Sequence, residues 1–176
     1  MLAEDLLKIP RGQYRHELHK GRLITKPLSA FADGIVTMRI TWRLASHVER
    51  HTLGVTLATG TGFHLGSNPD TVLAPEIAFV RQARVQANGL PEGFWPGPPD
   101  LAVLVVSPND SYREISDKVA EWLSAGTKEV WVVNPKRKTL TIHRSMTEAL
   151  TLGASDELDG GQLLPGFRLR IEKIFA

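Results

Sequence analysis

The sequence predicts an α/β (α+β) fold: a mixed β-sheet flanked by helices, as a single domain over residues 1–176. Three observations carry this. The stretch "DLAVLVVS", Asp100 to Ser107, is apolar at six consecutive positions, as expected of a central strand covered on both faces. In "SYREISDKVAEWLSAGTKEV", Ile115, Val119, Trp122 and Leu123 then recur at helical spacing. Another β-prone run, "EVWVV", follows, and a strand–helix–strand order requires a parallel pair within an otherwise largely antiparallel sheet.

The other elements follow in chain order. "YRHELHKGRLITKP" predicts a hairpin turning at Lys20-Gly21. In "DGIVTMRITWRLASHVERH", Ile35, Met38, Trp42, Ala45 and Val48 recur at intervals of three and four, which predicts a helix with that apolar face. Asp33-Gly34 is its expected start and Gly54 its expected stop. "VTLATGTGFHL" holds two short strands around Gly60 and Gly62. "DTVLAPEIAFVR" is a strand interrupted near Pro75, because proline has no N–H for a ladder. Gln82 to Pro99, rich in glycine and proline, reads as one long flexible loop of the kind that often serves function. Gly126 ends the second helix. Asn134-Pro135 turns one strand into another, and "LLPGFRLRIEKIFA" closes the chain with a strand and a last helical turn.

Composition narrows the chemistry. With 176 residues, 42% hydrophobic and 23% charged, the chain can bury a core in one domain. There is no cysteine, which excludes disulfides, thiolate zinc sites and cysteine nucleophiles. The net charge of +2 is too small to argue nucleic-acid binding alone. "MLAEDLLKIP" carries acids and lacks a long apolar stretch, unlike a secretory signal. No run reaches the roughly 18 apolar residues of a membrane helix. A cytoplasmic location is the expectation.

Several patterns invite a site and do not sustain one. "HVERH" spaces His47 and His51 by four, but Glu49 does not directly follow the first histidine as the zinc-protease motif demands. "TGTGFHLG" fits neither the dinucleotide fingerprint nor the phosphate-binding loop. "NPKRK" gathers Lys136, Arg137 and Lys138 at what reads as a solvated hairpin tip. Two residues stand out more. Lys118 borders the packing face of its helix, where it either reaches water or is held over the sheet edge to meet an anion. Glu76 is an acid among apolar residues, where a buried charge needs a partner or a metal.

Together, "YRHELHKGRLI", "TGFHL", "DTVLAPEIAFVR", "GPPDLAVLVVSPND", "DKVAEWLSAGTKEVWVVNP" and "DGGQLLPGFRLRI" resemble the Uma2 family of restriction-endonuclease-like proteins, within the PD-(D/E)XK nuclease superfamily. The resemblance implies a DNA endonuclease in which strand acids hold Mg²⁺ or Mn²⁺ and a lysine assists the attacking water. It places the metal-binding acid on Glu76, the lysine on Lys118 and a recurrent N-terminal acid on Glu17, and it makes DNA the implied partner. The second metal-binding acid of the family pattern falls at residue 104, which here is Leu104. Asp100 lies about 13 Å away along the strand and matches the pattern in its own right, so it is no substitute. Two readings follow: a metal-dependent endonuclease, or an inactive nuclease-fold protein that binds nucleic acid or a protein partner. A structural subunit of a homo-oligomer such as a dimer is a third.

Overall fold

The structure is a computed structural model that describes residues 1–10, 12, 14–26 and 29–176. Pro27, the last residue of the hairpin stretch, lies outside them. In chain order the elements are α1 (Ala3–Leu7), β1 (Arg15–His19), β2 (Arg22–Lys26), α2 (Phe31–Arg50), β3 (Gly54–Leu57), β4 (Phe63–Gly66), β5 (Thr71–Leu73), β6 (Ile77–Arg81) and α3 (Gln82–Asn88). There follow β7 (Trp95–Pro96), β8 (Leu101–Val105), α4 (Tyr112–Ala125), β9 (Glu129–Asn134), β10 (Thr139–His143), β11 (Ala149–Leu152), β12 (Glu157–Asp159), β13 (Arg168–Arg170) and α5 (Glu172–Phe175).

The expected single sheet is in fact divided. A six-stranded sheet runs β11-β10-β9-β8-β6-β3, a five-stranded one β2-β1-β5-β4-β7, and β12 pairs with β13. The interruption at Pro75 causes part of this division: β5 joins one sheet and β6 the other. The predicted crossover is present, with β8 and β9 parallel across α4. Every residue of β8 is buried, as its continuous apolar run requires. One face of it packs Leu101, Val103 and Val105 with α2, and the other packs Ala102 and Leu104 with Val119 and Trp122 of α4.

Helix α2 begins at Phe31, before Asp33-Gly34, and ends at Arg50; Gly54 opens β3 instead of stopping the helix. The larger correction concerns its face. Val36, Ile40, Leu44 and Val48 are buried, whereas Ile35, Met38 and Trp42 are exposed. The sequence carries two apolar stripes side by side, and spacing alone does not say which meets the sheet. The aliphatic stripe packs, sharing only Val48 with the predicted one.

Gln82–Pro99 is also not one loop. It forms α3 and β7, with Trp95 buried in the core on the α4 side of the sheet. Arg84 of α3 binds Asp100 at 3.1 Å and Pro98 O at 2.8 Å, which ties the segment to the start of β8. Helix α4 has the local signals that fix its ends. Ser111 Oγ accepts from Glu114 N at 3.2 Å, Glu114 Oε2 accepts from Ser111 N at 2.7 Å, and Gly126 closes the helix at φ 109°.

The two stripes of α2 give a direct test of this packing. Ile40→Ala, at a fully buried position, is expected to cost about 2–5 kcal/mol in urea unfolding. Met38→Ala, 62% exposed, should stay within about 0.5 kcal/mol of the parent. Comparable losses at both positions would contradict the observed face.

Candidate functional site

The site begins with the β1–β2 hairpin. Lys20 and Gly21 have φ of 50° and 75°, the left-handed pair that closes a two-residue turn. That turn sets Arg15 against Lys26 and Glu17 against Ile24. Since alternate strand residues share a face, Arg15 and Glu17 project together, with Lys26 across from them. Lys26 Nζ pairs with Glu17 Oε2, and Glu17 Oε1 accepts from Ala74 N at 3.3 Å, so the buried Glu17 carboxylate has a partner on each oxygen.

Glu76 lies in the step from β5 to β6, where the regular β6–β8 ladder has ended at Ile77 opposite Val103. Its N–H donates to Val103 O at 3.1 Å, and its Oε2 accepts from Val105 N at 3.2 Å. It thereby holds the β8 main chain on both sides of Leu104. Arg15 Nη2 lies 3.5 Å from Oε1. The side chain is only 19% exposed, and burial raises its pKa above the usual glutamate value. Arg15, the Val105 N–H, Lys26 and Lys118 oppose that rise without cancelling it.

Lys118, partly exposed, meets an anion that belongs to the chain itself. Its Nζ lies 3.3 Å from Asp110 Oδ1. Asp110 Oδ2 accepts from Ser107 N at 2.9 Å, and Ser107 Oγ donates to the buried Asp33 at 2.9 Å. Leu104, 4% exposed, sits in the apolar layer with Val119 and Trp122.

Three acids therefore meet three cations in one-to-one pairs: Glu17 with Lys26, Glu76 with Arg15, and Asp110 with Lys118. Mg²⁺ takes about six oxygen ligands in near-octahedral geometry. Among the described residues, no group of three or more acids and histidines is arranged to hold a metal. Arg15 Nε, buried and without a hydrogen-bond partner, adds an N–H donor, which suits an anion and repels a cation. The donor set does not fit a divalent metal.

Sequence reasoning missed Arg15, Lys26 and Asp110. The first two were legible, since the two-residue turn fixes which hairpin residues share the face of Glu17. Asp110 depends on how the loop after β8 folds back, for which there was no signal. The patterns set aside earlier have structural roles: His47 Nε2 lies 3.0 Å from Pro165 O, and Lys136 to Lys138 form an exposed turn. Asp100 is buried and binds Arg81 at 2.9 Å and Arg84 at 3.1 Å, anchoring β8.

This architecture recurs in a solved structure. It matches the crystal structure of a protein from Anabaena variabilis ATCC 29413, described as "a putative nuclease belonging to DUF820", with a TM-score of 0.84, over 99% of this chain and 97% of that one, at 18% identity. Residues 3–172 match the model of the Uma2 family, described as "Putative restriction endonuclease", and the chain belongs to that family. Among curated proteins, none matches it. Among the described residues, no helix is long and apolar enough to cross a membrane.

The raised pKa of Glu76 gives a signed prediction. The folded chain favours the protonated acid, so its contribution to stability is complete below the ordinary value of 4.5 and is lost as pH rises through the raised value. Glu76→Gln, always neutral, should therefore gain in thermal midpoint over the parent as pH moves from mildly acidic to neutral. A difference that shrinks over that range would mean that the Arg15 pairing outweighs burial.

Proposed function

We propose that the chain is a nuclease-fold protein that binds nucleic acid without cutting it. The descriptions of the family as a restriction endonuclease and of the structural neighbour as a nuclease support nucleic acid as the class of ligand. The observation that carries the non-cutting reading is Leu104, an apolar side chain in the segment that Glu76 brackets, at the position where the resemblance puts the family's second metal-binding acid. An apolar neighbour offers no lone pair and disfavours an ion. The remaining acids are each engaged by a cation, so a metal would have to displace Arg15 or Lys26 as well. What remains suits a phosphate group better than a cation.

One feature favours a second reading, a Mg²⁺- or Mn²⁺-dependent endonuclease that hydrolyses DNA phosphodiesters through Glu76, with Glu17 and Lys118 assisting. Lys26 pairs with Glu17 and also lowers the pKa of Glu76, so the two carboxylates share one cation's field. A metal that replaced Lys26 would meet both.

Plasmid cleavage in Mg²⁺ and in Mn²⁺ separates the readings. The parent chain is expected not to nick DNA, and its thermal midpoint should not respond to either ion. Leu104→Glu should gain a Mn²⁺-dependent rise in midpoint, since a ligand present at about 100 times its Kd stabilises by about 2.7 kcal/mol. Leu104→Met serves as the control for altered packing. Parent cleavage that disappears in Glu76→Ala would establish the endonuclease and overturn the proposal.

A further inference from the structure

A second charged surface lies away from Glu76, between α2 and the β13–α5 end of the chain. It is a groove of about 540 Å³ lined by Arg43, Arg50, Arg168, Arg170 and Lys173, with Trp42 at its side. Arg168 is paired with Glu157 and Asp159, and Arg170 with Glu172. Arg43, Arg50 and Lys173 form no ion pair among the described residues, so the groove keeps a cationic excess. Like charges that line one groove repel one another, and a polyanion relieves that repulsion. The Arg43 guanidinium lies 5.2 Å from the centre of the Trp42 ring, which sets a cation beside an aromatic surface. Trp42 is 60% exposed, whereas Trp95, Trp122 and Trp131 are buried.

We propose that this groove binds single-stranded nucleic acid, with Arg43, Arg50 and Lys173 on the phosphates and an unpaired base against Trp42. The choice of nucleic acid over other polyanions rests on the function proposed above. The choice of a single strand rests on Trp42: a base can stack on an exposed ring only if its face is free, and a duplex keeps its base faces stacked inside. The interaction needs no metal and uses none of the residues around Glu76.

The test is the binding of a fluorescently labelled oligo(dT) by the full chain in EDTA, followed by anisotropy at several salt concentrations and by tryptophan emission. Quenching is expected, because the exposed tryptophan is the one at the groove. Arg43→Ala/Arg50→Ala/Lys173→Ala should weaken binding roughly tenfold or more, and should reduce the slope of log K against log salt by about two, given about 0.7 per phosphate contact on single strands. Trp42→Ala should weaken binding about fivefold or more, and Trp42→Phe should restore most of the affinity. Lys136→Ala/Arg137→Ala/Lys138→Ala, on the exposed β9–β10 turn, should leave affinity unchanged.

An equal loss in the turn variant would show attraction to general charge and overturn the groove. So would salt-independent binding, or no binding accompanied by self-association in sedimentation, which would make the Trp42 face a contact between copies. Loss of oligo(dT) binding in Glu76→Ala but not in the groove variant would move the ligand to the other site. Metal-dependent cleavage with intact groove binding would overturn only the non-cutting reading.

Discussion

The bond from Val105 N–H to the Glu76 carboxylate is the constraint on which the site depends. It forms where the β6–β8 ladder has stopped, and a side chain there does what a main-chain carbonyl would do within the ladder. Glu76 thus ends the pairing without leaving a buried N–H of β8 unsatisfied, which would cost about 1–3 kcal/mol. The same bond fixes the carboxylate against residue 104 and within reach of Arg15. Remove it, and both the end of the strand and the arrangement of charges around it lose their reference point.

The charges around Glu76 are balanced pair by pair. Each acid has a cation within ion-pair distance, and the acid side chains are 7%, 19% and 22% exposed at Glu17, Glu76 and Asp110. Such pairs contribute little net stability, but breaking one leaves an uncompensated charge that is costly to keep. The arrangement therefore resists an added cation. An anion faces a weaker barrier, because it can share the existing N–H donors.

Much of the fold could be read from the sequence, and the reason differs by element. β8 was legible because burial on both faces leaves a continuous apolar run. The crossover followed, since short connections and handedness allow few alternatives. The face of α2 was misread because two apolar stripes lie side by side and only the sheet chooses between them. α3 and β7 were hidden by the glycines and prolines around them. At the site, Glu76 and Lys118 stood out from their apolar surroundings and Glu17 only through the family resemblance, and Lys26, which pairs with Glu17, also acts with Lys118 on the charge of Glu76. Arg15 and Lys26 could have been found from the hairpin register, whereas the pairing of Arg15 with Glu76, far away in sequence, and the fold-back that brings Asp110 to Lys118 leave no periodic trace.

The left-handed turn at Lys20 and Gly21 has a consequence for how much variation the hairpin can absorb. Side chains alternate between faces, so a slip of one residue in the β1 register would exchange Glu17 for Leu18 across the whole strand. Leu18 is fully buried beside Leu6 and Val72, and Glu17 is locked to Lys26. Neither tolerates the other's surroundings. A change of length at this turn is thus compatible with the site only where the loop absorbs it and leaves the β1 register intact.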